Sequence, residues 1–140
     1  MSKYLSSITG GIVSTLILSI IMFLKAQMGY FPEFNVVADI SQIAGVKTTI
    51  LGWAIHLFLG IIVWGILFAL ISSWLKGPFF LKGIQFGVIL WLLMMIIYMP
   101  IMDNGFFASD LGVNITITSL VFNVIYGLFL GLFTGIVQED

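Results

Sequence analysis

Four apolar stretches free of Lys, Arg, Asp and Glu, running roughly over 8–24, 50–70, 83–99 and 115–137, constrain this chain more than any other feature. A helix rises about 1.5 Å per residue, so about 20 residues cross a hydrocarbon core of about 30 Å, and each stretch comes close to that length. The third is expected to begin near Phe79, with Lys82 reaching from its first turn to the interface. The fold class that follows is an all-α membrane protein with four transmembrane helices, spanning about 8–24, 50–70, 79–99 and 115–137. Only 8% of residues are charged and 61% are hydrophobic, whereas about a quarter are charged in water-soluble domains. With 140 residues, the spans leave no room for a separate soluble domain, so a single transmembrane domain is expected over 1–140. Lys3 ahead of an apolar run is reminiscent of a signal peptide, but no small-x-small cleavage site follows.

Several function classes drop out on residue content. The net charge is −1 without a basic cluster, which removes the electrostatic footprint of a nucleic-acid binder. No cysteine is present, so disulfides, thiolate metal sites and cysteine nucleophiles are excluded. There is no arginine, and no zinc-protease, nucleophile-elbow, phosphate-loop or dinucleotide motif, so an enzyme is not expected, nor is a cofactor.

Lysines set the expected orientation. Lys3 precedes the first span, and Lys76 and Lys82 lie in the second connection; the first connection holds Lys25 and Lys47, and the third holds none, only Asp103 and Asp110. The positive-inside bias then places both termini inside, in a cell membrane such as a bacterial inner membrane. In the first connection Asn35 can cap a short interfacial helix over 35–45, in which Val36, Val37, Ile40, Ile43 and Ala44 recur at helical spacing and Gly45 marks the stop. Pro78 suits a helix start, and Pro100 is expected to end or kink the third helix.

The halves resemble each other. Moving the second span forward by 67 positions brings His56 onto Asn123 and Gly60 onto Gly127; an offset of 72 brings Gly11 onto Gly83, Leu18 onto Leu90 and Met22 onto Met94. This reads as a duplicated two-helix unit, whose copies enter the membrane from the same side and are related by an axis along its normal. Along the fourth span Ser119, Asn123, Gly127, Gly131 and Gly135 recur every four residues and form one small, polar face. The corresponding positions in the second span are Gly52, His56, Gly60, Trp64 and Phe68, and the first span carries Gly11, Thr15 and Ser19. Such faces admit close approach of helix backbones, within the bundle or against a second subunit.

His56, the only histidine, and Asn123 are the strongly polar side chains well inside the spans. Three roles compete for His56: a neutral hydrogen-bond partner of Asn123, a proton-relay or substrate contact, and a haem or metal ligand. Met99 and Met102 with Asp103 form a weaker candidate for Cu(I).

The segments Gly10-Gly11-Ile12-Val13-Ser14-Thr15, His56-x-x-x-Gly60, Trp91 to Pro100 and Tyr126-Gly127-x-x-x-Gly131 resemble those of small four-span bacterial and archaeal membrane protein families of unknown function. The resemblance covers nearly the whole chain and implies an architecture but no reaction. Such proteins often have a histidine where this chain has Asn123, which argues against a paired-histidine site. The expected function is a non-enzymatic membrane protein whose partners are the lipid bilayer and either further copies of itself, as a homo-oligomer, or other membrane subunits. The alternatives are a small transporter or channel with a path past His56 and Asn123, and a haem- or copper-binding protein.

Overall fold

The computed structural model describes residues 2–139. Among them it forms five helices and no strand: α1 (Lys3–Gln27), α2 (Val36–Ala44), α3 (Thr49–Ile71), α4 (Phe79–Ile101) and α5 (Val113–Glu139). All but α2 are long and apolar enough to cross a membrane. Polar residues cap the starts of α1 and α3, where Ser2 Oγ accepts the Leu5 N–H at 3.3 Å and Thr48 Oγ1 the Leu51 N–H at 3.4 Å. The short helix α2 forms as its sequence requires. Asn35 accepts the Ala38 N–H at 3.1 Å, and Gly45 closes the helix at φ +68°, a conformation that favours glycine.

On α1, burial follows side-chain size rather than polarity. The buried face of α1 is Ser6, Ser7, Gly10, Gly11, Ser14 and Thr15, while Ile12, Leu16, Ile20 and Phe23 are exposed. That arrangement would be unstable in water. In lipid a large apolar side chain gains nothing by facing inward, and small residues allow backbones to come together. The buried hydroxyls are mostly satisfied on their own helices: Ser14 Oγ donates to the Gly10 carbonyl at 2.9 Å, and Thr134 Oγ1 to the Leu130 carbonyl at 2.6 Å.

Glycines mark where the backbones approach. A methyl group added at Gly83, Gly87, Gly127 or Gly131 would run into the backbone of the facing helix, so α4 and α5 are held almost main chain to main chain. At Gly131 the added carbon would stand 2.8 Å from Gly83 Cα, and at Gly135 it would stand 2.9 Å from Phe79 Cβ. A second seam joins α1 to α3, where it would lie 2.8 Å from the Ile61 carbonyl if built on Gly11 and 2.9 Å from Thr15 Cγ2 if built on Gly60. Gly10 brings α1 onto α5 at Leu130 and Thr134. All three pairs are antiparallel, since rising numbers on one helix meet falling numbers on the other. Around the bundle the order is therefore α3, α1, α5, α4. The remaining pair, α3 and α4, meets through side chains, chiefly Phe68 against Phe86 with ring centroids 5.3 Å apart.

The small face of α5 is thus occupied by α4 of the same chain, not by a second subunit. In α3 the corresponding residues are divided among several neighbours. Gly52 faces Val37 and Ser41 of α2, Gly60 faces Thr15, and Phe68 is fully buried against Phe86.

A π turn interrupts the register of α3, and a second interrupts α4. In Leu59–Val63 the Trp64 N–H reaches back five residues to the Leu59 carbonyl, and in Met94–Tyr98 the Met99 N–H does the same to Met94. The second lies immediately before Pro100, whose ring would otherwise press on the carbonyl four residues earlier. Pro100 therefore shifts the helical register without ending α4, which runs on to Ile101.

Gly131→Leu is expected to separate α4 from α5 and to lower unfolding free energy by about 3 kcal/mol or more, at or above the upper end of overpacking costs. The Leu128→Ile control should cost under about 1.5 kcal/mol. Denaturant titration in mixed micelles measures both. Because the face is internal, both variants should keep the wild-type oligomer size on a sizing column.

Candidate functional site

Wrong-sized neighbours leave a space between the seams. A cavity of about 360 Å³ lies in the half of the bundle nearer α2 and is lined from all four long helices. Thr15, Leu18 and Met22 come from α1, His56, Gly60 and Trp64 from α3, Leu90, Met94 and Tyr98 from α4, and Phe122, Asn123 and Tyr126 from α5. Phe34, Val36 and Ile40 roof it. Toward the other end it stops at the buried cluster of Phe68, Phe86, Leu90, Tyr126 and Leu130. Leu93 and Ile97 on its rim are 40% and 52% exposed, so the cavity reaches the apolar flank of the bundle beside α4.

His56 and Asn123 both line this space, but no hydrogen bond joins them. Asn123 Nδ2 donates to the Ser119 carbonyl at 2.8 Å and lies 3.6 Å from Met94 Sδ. The imidazole of His56 meets Trp53 edge-on at 5.6 Å, and its Nε2 is buried without a partner. Thr15 Oγ1, on a residue 1% exposed, is also buried, and it lies near the Tyr126 hydroxyl, whose proton goes to Gly60, without completing a hydrogen bond of its own. A buried polar atom without a hydrogen bond costs about 1–3 kcal/mol. Two such atoms on the walls of one cavity are a reason to look for something that satisfies them.

Both π turns border the cavity, and one has a clear physical role. Because Trp64 bonds to Leu59, the Gly60 carbonyl is free of the helical ladder and accepts the Tyr126 hydroxyl. Tyr126 is 4% exposed, and this bond ties α5 to α3 across the cavity. Sequence reading placed Tyr126 only within a short motif and gave no sign of its partner, because a π turn leaves no residue signature.

The roof is fixed by two polar contacts that the sequence did not single out. Lys25 Nζ donates to the carbonyls of Tyr30, Phe31 and Phe34 at 3.1, 3.0 and 2.7 Å, gathering the loop that leads into α2. Tyr98 on α4 donates its hydroxyl to the Asp39 carboxylate on α2. Burial raises the Asp39 carboxyl above its ordinary value, and the Tyr98 hydrogen bond opposes that shift in part.

Met99, Met102 and Asp103 do not line this cavity. Met99 is fully buried among Phe34, Met95, Ala108 and Ile115, and its sulfur lies 3.7 Å from Asn104 Nδ2. Asp103 sits in the turn beyond α4 with φ +58°. Among the described residues no group of three or more His, Cys, Asp or Glu converges in a way that could hold a metal ion. Ser119 is fully buried and bonds to the Thr116 carbonyl at 2.8 Å.

Two outcomes test this geometry. Tyr126→Phe orphans the Gly60 carbonyl and should lower unfolding free energy by about 1–3 kcal/mol in denaturant titration. Asp39 has a folded-state pKa above its unfolded one, so its contribution is present below the unfolded value, near 3.8, and is lost as pH rises through the folded value. Asp39→Asn keeps an acceptor for Tyr98 without the buried charge. It should therefore unfold at a higher temperature than wild type at about pH 7, and the gap should close near about pH 4.

The whole chain, residues 1–140, matches a single family model, described as a family of unknown function (DUF6789). No curated protein and no solved structure matches it. A bundle of four helices long and apolar enough to cross a membrane is therefore the architecture of a member of this family, and the chain belongs to DUF6789.

Proposed function

We propose that this is a non-enzymatic integral membrane protein that holds a small apolar ligand inside its bundle. The cavity carries this reading. Its volume falls within the range of about 300–1,000 Å³ usual for ligand pockets, its walls are mainly apolar, and its few polar atoms include two without partners. The closed cluster at its far end favours a binding site over a through path, which sets the transporter or channel reading second.

The duplication supports the same view. Under the two offsets, the contact of Gly11 and Thr15 with Gly60 corresponds to that of Gly83 and Gly87 with Gly127. The third seam lacks its counterpart. Gly10 against Leu130 and Thr134 would map to Lys82 against Val63 and Leu67, and bulky side chains cannot close that contact. On this reading the cavity occupies the place where one copy of a repeated interface fails to form. We place both termini inside, from the lysine distribution, so that the roof faces outward. Any assembly with further copies or other membrane subunits would use the large apolar flanks, because the glycine faces are spent within the chain.

Native mass spectrometry of the protein extracted in mild detergent should show an apolar molecule retained with the wild type and absent from Leu18→Trp, which fills the cavity from α1. An unliganded wild type, or an equal adduct on Leu18→Trp, would overturn the proposal.

A further inference from the structure

The chemistry of the unpartnered atoms narrows the ligand class; this step rests on the binding reading above. We propose that the cavity takes a lipid with a neutral, planar, carbonyl-bearing head on a long apolar chain, the quinone class, with its ring carbonyl between His56 and Thr15.

Charge comes first. No Lys or Arg lines the cavity, so a carboxylate or phosphate head would enter without a counter-charge. No Asp or Glu lines it either, which disfavours a cationic head in the same way. A neutral head remains.

Hydrogen bonding comes next. Thr15 Oγ1–H can donate, and a neutral imidazole carries one N–H, which Nε2 can present to an incoming acceptor. A carbonyl oxygen has two lone pairs and brings no donor of its own, whereas a hydroxyl would add a proton that needs a further acceptor in an apolar cavity. The Tyr126 hydroxyl proton is committed to Gly60, and Asn123 Nδ2 to Ser119 and Met94; Thr15 Oγ1 lies near the Tyr126 hydroxyl but completes no hydrogen bond with it, which leaves the His56 and Thr15 protons to an incoming carbonyl.

Shape completes the argument. Trp64, Phe122, Tyr98 and Tyr126 give the cavity aromatic walls suited to a flat ring. The rim at Leu93 and Ile97 is apolar and exposed, so a chain attached to the ring can leave sideways among the lipid tails without crossing a polar surface.

Thermal unfolding of the full chain in detergent, measured with decylubiquinone, decylbenzene or decanoate, tests the assignment. Decylubiquinone should raise the midpoint saturably and more than decylbenzene at equal mole fraction, and decanoate should have the smallest effect. Thr15→Val and His56→Leu should each weaken decylubiquinone about tenfold, toward the decylbenzene response, while leaving that response unchanged as a check on folding. Equal shifts from decylubiquinone and decylbenzene, insensitive to both substitutions, overturn the head-group assignment and leave apolar binding in place. A dominant decanoate shift overturns it in favour of an anionic head, and the absence of any shift overturns both readings.

Discussion

Close approach of backbones across glycine is the constraint on which the rest of this molecule depends. Lipid tails are as apolar as leucine, so helices in a membrane gain nothing by hiding large side chains from their surroundings. Association must come from contact area and hydrogen bonds, and both are greatest where no side chain keeps the backbones apart. Gly83, Gly87, Gly127 and Gly131 meet this demand between α4 and α5, and Gly11, Gly60 and Gly65 meet it between α1 and α3. Along α1 the large residues, such as Leu16 and Ile20, are left to face outward.

The cavity is a consequence of the same rule applied unevenly. Three neighbouring pairs of helices are drawn together by small residues, and the fourth, α3 with α4, is not. Phe68 and Phe86 fill the space between that pair at one end. At the other end Gly60 and Thr15 are too small to fill it, and α2 serves as a roof instead. A π turn on each of the two flanking helices adapts to this gap. One frees the Gly60 carbonyl for Tyr126, and the other accommodates Pro100. Both irregular stretches border the cavity, and in the first the freed carbonyl finds its partner there, as buried backbone requires.

The roof shows how polar residues are used where the apolar rule ends. Lys25 spends its ammonium on three backbone carbonyls of the loop leading into α2, and Asp39 is tied to Tyr98. These contacts hold α2 over the cavity although it has only Val37 deeply buried along its own length.

Residue order alone determined the four spans, the cap at Asn35, the stop at Gly45 and the all-helical class, because hydropathy over about 20 residues and local capping are properties of neighbours in sequence. It also marked His56 and Asn123 as the polar residues within the spans, and the every-fourth-residue line on α5. What that line meets was decided only in three dimensions, since a small face reads the same whether it turns toward α4 or toward another subunit. The same holds for the polar pair. His56 and Asn123 share a cavity without bonding to each other, because the Asn123 amide finds the nearer Ser119 carbonyl on its own helix. Neither π turn could be read from the chain, since no residue type marks one, nor could the partnerships of Tyr126 with Gly60 and Tyr98 with Asp39, which join residues far apart in sequence. Sequence fixes which helices form; their mutual packing decides where space is left over, and the candidate site is that space.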